Sequence, residues 1–77
     1  MTTLKDVPVG SRVRVTKINS AGAVRRRIMD MGITKGIDIT VTNCAPLGDP
    51  IELKLRGYTL SLRRADAEMI TVEKTDQ

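Results

Sequence analysis

Ile51-Glu52-Leu53-Lys54-Leu55-Arg56-Gly57-Tyr58-Thr59-Leu60-Ser61-Leu62-Arg63 is two runs of alternating apolar and polar residues hinged on a glycine. A period of two is that of a strand with one face buried. Ile51, Leu53 and Leu55 then face inward with Leu60 and Leu62, while Glu52, Lys54, Arg56, Thr59, Ser61 and Arg63 face water. Gly57 supplies the positive φ that a tight turn between the two strands demands. The stretch reads as a β-hairpin with one greasy face.

The same period recurs on both sides of it. Arg12-Val13-Arg14-Val15-Thr16-Lys17 alternates with Val13 and Val15 inward, and Ile37, Ile39 and Val41 alternate with Asp38, Thr40 and Thr42. Ile70-Thr71-Val72 reads as a closing strand, and Asp66 to Met69 as one helical turn. Between the first two strands the pattern changes. Ser20 stands where an N-cap belongs and Gly32 where a C′ glycine belongs, predicting a helix over about residues 21–31. At about 100° per residue, Val24, Ile28 and Met31 fall on one stripe, expected to pack on the sheet, with Arg25, Arg26, Met29 and Asp30 opposite. Pro8 and Gly10 punctuate the entry to the fold, and Ala45-Pro46-Leu47-Gly48-Asp49-Pro50 is a loop. Glu73 to Gln77 is expected to fray.

Five short strands and one helix in 77 residues bury their aliphatic faces only if the sheet curls on itself. The expected fold is an all-β, SH3-like small barrel with one inserted α-helix, residues 1–77 forming one unit. A chain this short buries about 60–65% of the surface its unfolded form exposes, which leaves little room for a deep catalytic pocket. Its core is aliphatic, since Tyr58 is the only aromatic residue.

Composition excludes much chemistry. There is no His and only one cysteine, Cys44, so neither an internal disulfide nor the common transition-metal ligand sets can be built. A nucleophile paired with His is impossible, and no G-x-x-x-x-G-K-[ST] run cradles a nucleotide. The acidic residues are scattered and often sit beside Arg or Lys. We therefore expect no enzyme, no cofactor and no metal site. The first residues, Met1 to Lys5, are polar and lack the apolar core of a signal peptide. No apolar run approaches the ~20 residues that span a bilayer, so no membrane insertion is expected and the protein is read as cytoplasmic.

What remains is binding. The net charge of +4 permits an acidic partner. Arg25-Arg26-Arg27 is either a solvated helix face or an electropositive patch, the latter joined by Arg63 and Arg64. Met29, outside the apolar stripe, is either an ordinary surface residue or an adaptable contact. Leu47, in a loop stiffened by Pro46 and Pro50, is expected to fold back as a lid over one barrel end; the competing reading makes it a docking contact. On the docking reading Arg25, Arg26, Met29, Leu47, Arg63 and Arg64 belong to one partner-binding surface.

Several segments carry a family resemblance. Val9-Gly10 with the Arg12–Val15 strand, Arg26-Arg27-Ile28-Met29-Asp30-Met31-Gly32-Ile33 and Lys35-Gly36 are three of them. Ala45-Pro46-Leu47-Gly48-Asp49-Pro50-Ile51-Glu52 and Arg56-Gly57-Tyr58-Thr59-Leu60-Ser61-Leu62-Arg63 are the others. With these the chain, from about Leu4 to Val72, resembles the FeoA family of ferrous-iron uptake. The resemblance implies an SH3-like fold, like that of the C-terminal domain of iron-dependent repressors. It also implies an accessory role to the membrane ferrous-iron permease, whose cytosolic part holds a GTPase domain. No metal ligands carry over. The rival readings are a small-barrel nucleic-acid-binding module and a transition-metal-binding module. Against the first stands the single aromatic residue, which leaves almost no stacking platform for bases. The protein is expected to be a monomer or a weak homo-oligomer, because charged outward side chains discourage edge pairing.

Overall fold

In the computed structural model, which describes residues 2–75, the chain reverses at Arg56 and Gly57 with φ of 50° and 83°. Two consecutive residues in the left-handed region make a two-residue turn whose twist suits an antiparallel hairpin. It joins β4 (Ile51–Leu55) to β5 (Tyr58–Leu62) and sets Leu55 opposite Tyr58, Leu53 opposite Leu60 and Ile51 opposite Leu62. The inward apolar face read from the sequence is the one the register produces.

The other strands are β1 (Thr2–Thr3), β2 (Arg12–Ile18), β3 (Asp38–Cys44) and β6 (Ile70–Lys74). All neighbours are antiparallel, in the order β1-β6-β2-β3-β4-β5. The described residues thus hold six strands, not five. Thr2 and Thr3 are too few to show a period, and only their pairing with Val72 and Thr71 makes them a strand. The last strand is also longer than expected. Glu73 and Lys74, read as part of a frayed tail, pair with Arg14 and Val13, and Thr75 donates its N–H to the Arg12 carbonyl. Met1, Asp76 and Gln77 lie outside the described residues.

Two bulges bend the sheet. The β2–β6 register shifts between Val15 and Lys17, and the β3–β4 register shifts between Val41 and Asn43. An extra residue in one strand flips the alternation and tightens the local twist. Strict alternation after Val15 points Lys17 into the core. The bulge sends Ile18 inward instead, and Lys17 stays in water. Curled in this way, the six strands close around a single apolar cluster that includes Val13, Val15, Ile39, Val41, Leu53 and Leu62. Leu4, from a 3-10 turn at Leu4–Asp6, and Ala67, from the short α2 (Arg64–Ala67), join the same cluster fully buried.

The inserted helix, α1 (Gly22–Asp30), departs from expectation in two respects. Its N-cap is Ala21, not Ser20; the Ser20 hydroxyl is buried without a hydrogen-bond partner among the described residues. Val24 is 36% exposed, and residues 22–25 face water all round. The helix meets the barrel only with its last turn, through Ile28 and, partly, Met31. The predicted three-residue stripe is therefore shorter by its first member.

Candidate functional site

The end of α1 is fixed tightly. Gly32, at φ 95°, lets its N–H reach the Met29 carbonyl (2.9 Å) while the Ile33 N–H reaches that of Ile28 (3.3 Å). This pair of bonds is a Schellman motif, and its apolar clasp is Ile28 against Ile33, both fully buried. The Tyr58 hydroxyl, across on β5, donates to the Met31 carbonyl. Arg27 donates to the Asp66 carboxylate of α2 at 2.8 Å, and Asp66 is only 9% exposed. Of the arginine triplet, Arg27 is thus an anchor. Arg25 and Arg26, with the side chain of Met29, are left facing water.

Around Met29 the surface is concave. A cleft of about 510 Å³ is lined by Thr16, Lys17 and Ile18 of β2, Arg25 and Met29 of α1, and Thr34 and Lys35 of the following loop. Arg25 also borders two adjoining depressions, one shared with Arg26, Met29 and Asp30 and one with Lys17 and Ser20. Among the described residues, Lys17, Arg25 and Lys35 have no acidic partner within salt-bridge distance. Lys5, Arg12, Arg14 and Arg27 do have such partners. Sequence reading found Arg25, Arg26 and Met29 by helical phase but missed Lys17 and Lys35. Their only signal is position: one stands just before the connection into α1, the other just after its glycine cap.

The remaining predicted contacts gather elsewhere. Arg63 borders a shallow depression of about 240 Å³ with Arg27, Met31 and Asp66. Arg64 donates its backbone N–H to Asp49 Oδ1 at 3.0 Å, and its guanidinium lies over Gly48. The loop from β3 to β4 is therefore held against α2. Leu47 is not a lid. The Gly48 N–H closes on the Ala45 carbonyl at 2.7 Å, a turn that throws Leu47 outward to 91% exposure. Leu47 lines none of these depressions, and among the described residues no hydrogen bond or ion pair joins its loop to Met29.

Among the described residues no group of three or more His, Cys, Asp or Glu could hold a metal ion. Cys44 is half-buried against the core at the end of β3. A hydrogen bond from Arg14 (3.0 Å), with the charge of that guanidinium and a weaker contribution from Arg12, holds Asp38 below its ordinary value of 3.8 against the opposing effect of desolvation. It sits in an outward ion-pair cluster of β2 and β3, away from the cleft residues. No described helix is long and apolar enough to cross a membrane.

What this barrel with its inserted helix is can be read from its relatives. Residues 2–74 match the FeoA domain family. The chain belongs to the FeoA family. It is 48% identical to the FeoA-like protein of Clostridium acetobutylicum, whose solution structure it matches with a TM-score of 0.89 over 100% of this chain and 93% of that one. It is 40% identical over 70 residues, 91% of its length, to an Fe(2+) transport protein A/Fe(2+) transporter FeoB fusion protein of Porphyromonas gingivalis. The chain spans only 8% of that fusion protein. FeoA of Stenotrophomonas maltophilia, solved with zinc and described as an SH3 domain protein, has the same fold: TM-score 0.82 at 22% identity, over 95% of this chain and 91% of that one. The SH3-like FeoA fold expected from alternation and resemblance is the fold observed.

Proposed function

We propose that this protein is a cytoplasmic, non-catalytic accessory factor of ferrous-iron uptake. It docks, with residues 1–77 acting as one unit, on the cytosolic, GTPase-containing part of the membrane ferrous-iron permease. The observation that carries this reading is the P. gingivalis relative, in which a sequence 40% identical to this chain is covalently part of a protein described as a FeoB transporter fusion. Two functions joined in one polypeptide act at one place, and separate chains of the same kind meet by docking. The S. maltophilia relative has itself been put forward as a ferrous iron transport activating factor. The surface supports a binding role: exposed Met29 and Leu47 with Arg25, Arg26, Arg63 and Arg64, and no catalytic group between them. Docking alters the permease only if this protein binds two of its states with different affinity.

The test is calorimetry with the permease's cytosolic part, apo and with GDP or a GTP analogue. Nucleotide-dependent binding is expected. Met29→Asp and Leu47→Asp, each at an exposed position, are expected to weaken it about fivefold or more while leaving the fold intact. Failure to bind either the cytosolic part or the whole permease in any nucleotide state refutes the reading.

A further inference from the structure

We infer that the cleft framed by Lys17, Arg25 and Lys35 around Met29 receives an acidic segment of a partner protein that presents one apolar side chain. Three successive elements bring these cations together: the end of β2, the outward face of α1 and the loop behind the Gly32 cap. All three cationic residues are exposed, and none of the seven residues lining the cleft is acidic. On the β2–β3 face this chain supplies its own carboxylate, Asp38, to Arg12 and Arg14. The cleft lining itself brings no carboxylate to Lys17, Arg25 and Lys35; Asp30 borders the adjoining depression instead. A hollow lined by one sign of charge concentrates its field and draws a complementary segment in.

The floor says what else that segment carries. Met29 is 40% exposed, and Ile18 lies beside it nearly buried. A flexible thioether next to a branched aliphatic residue accommodates a Leu- or Ile-sized side chain. The Thr16 hydroxyl already donates to the Thr71 carbonyl at 3.1 Å, which leaves the Thr34 hydroxyl to meet a backbone or a carboxylate. Shape argues for a peptide over a lipid surface. The site is a cleft of about 510 Å³, whereas binding to a bilayer calls for a protruding apolar face rimmed by cations. Chemistry argues against nucleic acid, because Tyr58 is the sole aromatic residue, does not line the cleft, and has its hydroxyl engaged by the Met31 carbonyl.

This inference deepens the docking reading and rests on it for the identity of the partner, not for the chemistry of the cleft. The test therefore uses two probes on the full chain. The first is a blocked Glu-Glu-Leu-Glu-Glu peptide, with Lys-Lys-Leu-Lys-Lys as its counterpart, titrated into the 15N-labelled protein at low and high salt. Amide shifts are expected at Lys17, Arg25, Met29 and Lys35 with the acidic peptide alone, and raised salt should erase them. Lys17→Glu/Lys35→Glu is expected to weaken binding about tenfold or more, and Lys17→Gln/Lys35→Gln less, with spectral dispersion reporting that both variants fold. Shifts centred elsewhere, equal responses to the two peptides, or undiminished binding by the charge-reversed variant overturn the inference. So does a Lys17- and Lys35-dependent association with phosphatidylserine vesicles in place of the peptide. The second probe is the permease's cytosolic part. If it binds the parent and the charge-reversed variant alike, the cleft inference falls and docking stands. If the acidic peptide fills the cleft but neither the cytosolic part nor the whole permease binds in any nucleotide state, the cleft stands and the docking reading falls.

Discussion

A methyl group placed on Gly32 drives the end of α1 against β5. An ideal Cβ there meets the Tyr58 hydroxyl far inside contact distance, with the Tyr58 ring carbon Cζ at 3.6 Å and Leu55 Cδ1 at 3.9 Å. The Gly32 φ of 95° adds a second cost, because a side chain there opposes the left-handed backbone by about 1–2 kcal/mol. Against this, alanine restricts the unfolded chain and returns about 0.4–1 kcal/mol. To escape the methyl the tyrosine has to swing away from the Met31 carbonyl, losing a hydrogen bond with a net value of about 0.5–1.5 kcal/mol. Taken together, Gly32→Ala costs about 2 kcal/mol. For a chain this size that lowers the melting temperature by about 10 °C or slightly more. The two costs separate in a second background. Tyr58→Phe removes the oxygen but leaves Cζ at an ordinary distance, so Gly32→Ala in that background costs only about 1 kcal/mol, a coupling of about 1 kcal/mol. Urea denaturation of the four proteins measures it. A cost of Gly32→Ala below about 0.5 kcal/mol, or an equal cost in both backgrounds, refutes the account of how α1 is held.

Three further outcomes follow from the same packing. Ile28→Ala is expected to cost about 2–4 kcal/mol in urea denaturation, whereas Val24→Ala, on the same helix and in the same sequence stripe, costs less than about 0.5 kcal/mol. Arg56→Asn puts a residue that tolerates positive φ before Gly57, and is expected to stabilise the hairpin by about 0.5 kcal/mol in the same assay. The third concerns acid. Because the folded-state value of Asp38 lies below its unfolded 3.8, its contribution is fully present above 3.8 and is lost as pH falls through the folded value. The urea midpoint of Asp38→Asn, followed from pH 6 to pH 2, should therefore fall less steeply below about pH 4 than that of the parent.

The hairpin was legible because two devices agreed: strict alternation on either side of Gly57, and a glycine where the turn needs positive φ. The glycine cap of α1 was legible for the same local reason. The bulge at Thr16 was not, since an extra residue has no signature of its own; only the partner strand shows that Ile18 and not Lys17 turns inward. Val24 misled because helical phase gives direction but not reach, and only the last turn of α1 arrives at the barrel. The Leu47 lid failed because the Ala45–Gly48 hydrogen bond closes the turn on itself. At the candidate site, Arg25 and Met29 follow from one helix's phase. Lys17 and Lys35 come from other elements, and their convergence is tertiary.

Thr2 stands opposite Val72 in the β1–β6 pairing, so the head and tail of the fold lie side by side. A few residues of linker suffice to join them, and new ends can be opened at the exposed Arg56-Gly57 turn without cutting a strand. Such a circular permutant should keep the core intact. Inserted into a longer polypeptide, the fold leaves and rejoins its host at one spot, as a bead hangs on a closed loop of thread. It can therefore be spliced into a host with little strain on either.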